Sequence, residues 1–248
     1  MRHPVVFIHG RWLHASSWDR WVTLFGDHGH AAVAPGWPGD GPTVEATRKN
    51  SGPSACAGVS EVTEHYARIA GELPARPVLI GHGLGGLLAL TLSPQTHAAG
   101  VIAIEPLLLS ATALTRQPGP GPARAALSRD QFRDVYGSTL SREESDRLYE
   151  RWAIPTPPWA LSDPATPAPL TPGPDEHATN SSRCPVLLVA SGQSERQRAA
   201  RLACGERRLL LAGGDLVVFP DRGPSLIIDS GWRPVAESCL SWMDAYEL

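Results

Sequence analysis

The sequence predicts an α/β fold, a mostly parallel twisted sheet with helices on both faces. Three observations point there. Short continuous apolar runs recur along the chain, as in strands buried on both faces. Segments with apolar residues at helical spacing alternate with them, which is the pattern of a helix-covered parallel sheet. One strand, Pro77 to Ile80, passes through a glycine-rich turn directly into an apolar helix.

Each element has its own justification. The run HPVVFIH, His3 to His9, reads as the first strand. Ser16 or Ser17 can cap the next helix, in which Trp18, Trp21, Val22 and Phe25 share one face and Gly29 is the stop signal. Ala31 to Ala34 reads as a short strand, and the Gly- and Pro-rich stretch from Pro35 to Pro53 as a loop. Val59, Val62, Tyr66, Ile69 and Leu73 mark a second helix, stopped by Pro74. Leu84 to Leu92 is an apolar helix expected to end before Pro94, and Val101 to Ile104 is a fourth strand. The alternation then breaks. Eleven of the 24 prolines fall between Pro118 and Pro174. Two capping signatures within that region, Ser128 with Gln131 and Ser141 with Glu144, predict helices. Strands at Val186 to Val189 and Leu216 to Phe219, a helix around Glu195 to Leu202 and a last helix from Gly231 to Tyr246 complete the pattern. The expected organisation is a core of residues 1–106 and 183–248, with residues 107–182 as a Pro-rich lid insert over the carboxyl ends of the strands. Open α/β sheets bind ligands at those ends.

Composition excludes several function classes. The 248 residues carry a net charge of −3, so no basic field exists to attract nucleic acid or an anionic membrane. No apolar run reaches membrane-spanning length, and the N-terminus reads as a strand without a leader-type region. A cytoplasmic location is expected. Cys56, Cys184, Cys204 and Cys239 have no metal-ligand spacing and read as small hydrophobes. Lys49 is the only lysine among 22 basic residues, an Arg-, Ala-, Gly- and Pro-rich bias typical of GC-rich coding sequence.

The segment PVLIGHGLGGLLAL, Pro77 to Leu90, has the layout of a nucleophile elbow, in which a strand meets a helix at G-x-S-x-G. Here the chain resembles the α/β-hydrolase superfamily, its small bacterial esterase and haloperoxidase-like branch, over most of its length. His9-Gly10-Arg11-Trp12 resembles the oxyanion loop after the first core strand. Ala34 to Gly39, Asp221-Arg222-Gly223 with Ser225-Leu226, and Asp229 to Trp232 also resemble family segments in the expected order. The chain begins at what corresponds to the family's third strand.

The resemblance implies a Ser–acid–His relay, and the sequence departs from it at each position. Gly83 stands where the serine belongs, Ser194 where the acid belongs (Glu195 is next to it), and Pro224 where the histidine belongs. Glycine offers no nucleophilic oxygen, and proline can neither take nor give a proton. What the family pattern retains is charge stabilisation: the backbone N–H groups of Leu84 and Arg11 and the dipole of the elbow helix.

Several side chains near these segments are candidates for binding or chemistry. The Arg11 guanidinium can clamp a carboxylate, phenolate or enolate, or it can point outward. His14 can face the pocket or stabilise its loop. Glu105, ending the fourth strand, is the best remaining general base. His9 and His82 read as structural, and Asp40 as solvated. Trp12, Tyr136, Trp152, Trp159 and Trp232 can line a substrate pocket or pack in the core. The catalytic set is therefore Arg11, Leu84, Glu105 and His14. No cofactor or metal is expected; the partner is a small-molecule substrate or ligand, and the protein a monomer or homodimer. Three functions remain open. They are a repurposed non-hydrolytic enzyme of secondary metabolism (cyclisation, C–C bond formation, elimination or isomerisation), a small-molecule-binding or structural pseudoenzyme, and an esterase using Ser191, Ser194 or Ser225.

Overall fold

The computed structural model describes residues 2–50, 59–106, 125–157, 184–192 and 213–248. Six strands form one sheet in the order β2-β1-β3-β4-β5-β6, with every pairing parallel. They are β1 (Val5–Ile8), β2 (Ala32–Val33), β3 (Val78–His82), β4 (Gly100–Ile104), β5 (Val186–Ser191) and β6 (Asp215–Phe219). The central strands are buried on both faces, which is why they read as unbroken apolar runs rather than alternating ones.

The period of two along each strand sorts the core into two layers. Val5 and Phe7 of β1 face one layer with Ile102, Ile104 and Val189. Helix α1 (Asp19–Asp27) and helix α7 (Trp232–Ala245) cover it with Trp21, Phe25, Val235, Cys239 and Met243. Val6 and Ile8 face the other layer with Leu79, Val101 and Ala103. Helices α3 (Val59–Gly71) and α4 (Leu84–Thr96) supply Val62, Tyr66, Leu88 and Leu92 there. Burying one such side chain stabilises the fold by roughly 1.5–3 kcal/mol before entropy is counted. Between β4 and β5, helices α5 (Arg129–Tyr136) and α6 (Arg142–Trp152) begin at Ser128 and Ser141, whose hydroxyls accept from the backbone N–H groups of Gln131 and Glu144. Ser128 and Gln131 make a complete capping box.

Several element boundaries differ from the sequence expectation. The helix after β1 opens with a 3-10 turn, Ala15–Trp18, capped by the His14 ring rather than by a serine. Helix α2 (Val44–Lys49) lies inside the expected loop. It has six residues, too few for apolar periodicity, and the Thr43 cap was its one local signal. Helix α4 runs past Pro94 to Thr96, because proline in a last turn forfeits only one hydrogen bond; His97, in the left-handed region, closes the helix. Strands β3 and β5 each reach two residues further, to His82 and Ser191. The expected helix around Glu195, and with it Ser194, Trp159, Cys56 and Cys204, lies outside the described residues. No helix among the described residues is long and apolar enough to cross a membrane.

Candidate active site

Parallel strands bring their carboxyl ends to one edge. The registers Ile8↔Gly81, His82↔Ile104 and Ser191↔Phe219 set the segments after β1, β3, β4, β5 and β6 side by side. Arg11, Gly83, Glu105, Gly192 and Pro224 therefore occupy one edge of the sheet. At its centre is Gly83, with φ 58° and ψ −119°, between β3 and α4. This region is strained for a residue with a side chain, and glycine relieves the strain. Space does not demand glycine: a Cβ built there has only Gly10 Cα within 4.0 Å. Gly85 is different, since a Cβ would run into the carbonyl oxygens of Ile8 and His9. Its absence lets α4 lie directly against β1. The sharp strand-to-helix turn is thus intact, partly exposed at its apex, and has no nucleophile.

Leu84 is the first residue of α4, so its N–H has no acceptor within the helix. The loop after β1 lies opposite. A Cβ on Gly10 would be 2.7 Å from the His82 carbonyl oxygen, which shows how closely the two turns approach. Arg11 follows, and its guanidinium lies 4.7 Å from the centre of the Trp12 ring. Burial lowers the Arg11 pKa, partly opposed by the nearby Tyr136.

The loop after β1 is fastened to residues 125–156. The Tyr136 hydroxyl donates to the Arg11 carbonyl at 2.6 Å. The Trp12 N–H donates to Thr156 Oγ1 at 2.7 Å, and its indole N–H to the Ala125 carbonyl at 3.2 Å. Ile154 N–H donates to the Trp12 carbonyl, and His14 N–H to that of Trp152. Trp12 holds φ 57° within this clamp. The Trp152 indole donates to the Ser16 carbonyl at 3.2 Å, and Arg20 lies over the rings of both Trp152 and Trp232. Trp232 also packs against Trp21.

Three of the site's neighbours are histidines. His82 Nε2–H donates to the Pro224 carbonyl at 3.1 Å, and its ring lies 6.1 Å from that of Tyr136. His9, fully buried, stacks on Trp37 and accepts its backbone N–H at Nε2; Asp40 lies 3.4 Å from the same nitrogen. Asp40 is thus buried beside His9 rather than solvated. The His14 ring accepts the Ser16 N–H at Nδ1, so its Nε2–H donates to the Gly41 carbonyl at 3.1 Å. Burial lowers the His14 pKa and favours this neutral form.

Glu105 is buried at the end of β4 with φ 46°, in the left-handed region. Its Oε1 accepts the Ser191 N–H, which ties β4 to β5. Ser191 is buried as well. Ser225 donates to Asp229 Oδ2 at 2.7 Å, and Asp229 also accepts from Gly231 N–H and pairs with Arg222. This network, which sequence reasoning had not separated from the triad-like segment around it, holds the 220–231 turn. Its signal was the D-R-G spacing to a second aspartate. Among the described residues no cluster of His, Cys, Asp and Glu could hold a metal ion.

Comparison with known proteins agrees with this architecture. A family model described as "Alpha/beta hydrolase family" matches residues 5–238. No curated protein matches the sequence. Among solved structures, a tomato methylketone synthase I complexed with 2-tridecanone is 14% identical, with a TM-score of 0.67 over 99% of both chains. A methylesterase from Arabidopsis is 16% identical, with a TM-score of 0.61 over 98% of this chain and 99% of its own. A pyrethroid hydrolase from Sphingobium faniae is 17% identical, with a TM-score of 0.62 over 99% and 98%.

Proposed function

The chain belongs to the alpha/beta hydrolase family, and from that premise we propose that it is a non-hydrolytic member. It would act on an apolar small molecule, aromatic or polyketide-like, by cyclisation, C–C bond formation, elimination or isomerisation. The observation that carries this reading is Gly83: the elbow keeps φ 58° and ψ −119° while offering no attacking oxygen. Pro224 supports it, since the position expected to hold the base contributes only a carbonyl, bonded to His82.

In this reading the work falls to groups that bind and stabilise charge. The N–H of Leu84, at the positive end of α4, faces developing charge on a substrate oxygen. Glu105 is the candidate base, buried and oriented by Ser191 N–H. His14 fixes the geometry of the loop that carries Arg11. The described part of the proposed lid, residues 125–157, is fastened to the loop after β1 through Trp12 and Tyr136. Trp152, Trp159 and Trp232 belong to the proposed aromatic lining. A fold neighbour holding 2-tridecanone is in keeping with a small apolar ligand. A second reading, ligand binding without turnover, is favoured by the engagement of Glu105 with Ser191, which uses one of its oxygens structurally.

The test is chemical. A fluorophosphonate probe is expected to leave every serine unlabelled, with p-nitrophenyl esters unhydrolysed above background. Stoichiometric labelling of Ser191, Ser194 or Ser225 would overturn the proposal. Once a converted compound is known, Glu105→Gln is expected to slow turnover by about 100-fold or more, in the range of general-base catalysis. Unchanged turnover would remove Glu105 from the mechanism.

A further inference from the structure

Among the described residues, the arginines drawn toward the interior each donate to at least one acceptor, even where a single nitrogen is left over, as in Arg20 and Arg133; Arg11 donates to none. Arg48 donates to the carbonyls of Tyr149, Glu150 and Ala153. Arg133 pairs with Asp130 and Asp146, and Arg222 with Asp229. Arg11 Nη1 is shielded from solvent and has no hydrogen-bond acceptor. No carboxylate of the described residues pairs with it. Its neighbours are the Trp12 ring and the Tyr136 phenol, which burial keeps protonated and therefore neutral. A partly buried cation without a counter-charge costs stability, a cost that an anionic ligand would offset.

Its position suits such a ligand. Arg11 is one residue past Gly10, whose Cα borders the space left open at Gly83. The N-terminus of the 13-residue helix α4 faces the same space with the same sign of charge. We infer that Arg11 and the start of α4 together bind an anionic oxygen group, so that the ligand is an organic anion, a carboxylate or enolate on an apolar body. This rests on the non-hydrolytic reading of the site and adds the charge of its substrate. The planar guanidinium donates two parallel hydrogen bonds to the paired oxygens of a carboxylate, an arrangement that a neutral amide, with one oxygen, cannot match.

Isothermal titration calorimetry of the full chain with matched probes tests it: 2-naphthoate against 2-naphthamide, and octanoate against octanamide. The carboxylates are expected to bind about tenfold or more tightly than their amides, and the better pair distinguishes an aromatic from an aliphatic body. Arg11→Met should abolish that preference and leave amide binding unchanged, while Arg11→Lys should keep part of it. Arg11→Met should also melt no lower than the parent, because it removes an unpaired charge. Equal binding of acid and amide, a preference that survives Arg11→Met, or no binding by any probe would overturn the inference. So would a fall in melting temperature of more than about 5 °C in Arg11→Met, which would make the guanidinium structural. Methanol release from methyl 2-naphthoate would instead sink the non-hydrolytic reading while leaving the anion preference standing.

Discussion

Gly83 is where chemistry and conformation separate. The backbone of a nucleophile elbow is strained, and families that use it accept that strain to expose a hydroxyl. Here the strain is relieved, because glycine adopts φ 58° freely, yet the turn keeps its shape. Gly85 and the approach of α4 to β1 hold that shape independently of residue 83. Gly83→Ser is therefore expected to fold, with stability lowered by roughly 1–3 kcal/mol from the imposed φ, and to gain no esterase activity. Thermal melting and p-nitrophenyl acetate hydrolysis measure the two halves. Ester turnover by the single variant would show that a working base survives near position 83. Glu105 is the complementary case. Its positive φ appears in no sequence pattern, so its strand-end place was legible but its bond to Ser191 was not.

At the scale of elements, the loop after β1 and residues 125–156 are tied into one clamp. Residues 11 to 14 touch Ala125, Tyr136, Trp152, Ile154 and Thr156 through hydrogen bonds, and Leu13 bridges to Ala153. A displacement of α5 and α6 must then move the Arg11 and Trp12 backbone, next to the elbow. Tyr136→Phe removes one tie and leaves the Arg11 carbonyl short of a donor, at a cost of about 1–3 kcal/mol. The expected signature is faster amide hydrogen exchange at residues 11–14, with the exchange of β3 and β4 unchanged. Uniform acceleration across the sheet would mean that the clamp is not a separable unit. The helices of this clamp were readable from Ser128 and Ser141, because capping is a local code. The clamp itself was not. It is made by residues more than 100 positions apart in sequence, such as the Tyr136 hydroxyl and the Arg11 carbonyl. The 35–41 loop shows the same limit. Glycine and proline marked it as irregular, but its fastening by His9, His14, His65 and Tyr66 is tertiary.

Across the whole molecule, the parallel sheet was legible from the alternation of strands and helices, because buried parallel strands must be apolar throughout; the strand order β2-β1-β3-β4-β5-β6 was not, because it is set by tertiary pairing. The histidines of the fold give it a pH dependence. Burial lowers the pKa of His14, His30 and His65 below the ordinary value of 6.5. The unfolded chain therefore binds more protons than the folded one as pH falls below about 6.5, and folding loses stability in that window. Melting temperature is expected to be steady from pH 8 to 7 and to fall between pH 6.5 and 5. His14→Asn should flatten part of that slope. A melting temperature that rises on acidification through this range would contradict the neutral-histidine assignment.

The family membership and the emptied elbow together make one claim central: the retained site acts on a small molecule without adding water. Incubating the protein with small-molecule extract from the source organism lacking this gene, and following every mass by liquid chromatography–mass spectrometry, tests it directly. The expected result is conversion of a compound at unchanged mass, or with loss of water. A product heavier by one water, or a bound compound that never converts, would contradict it.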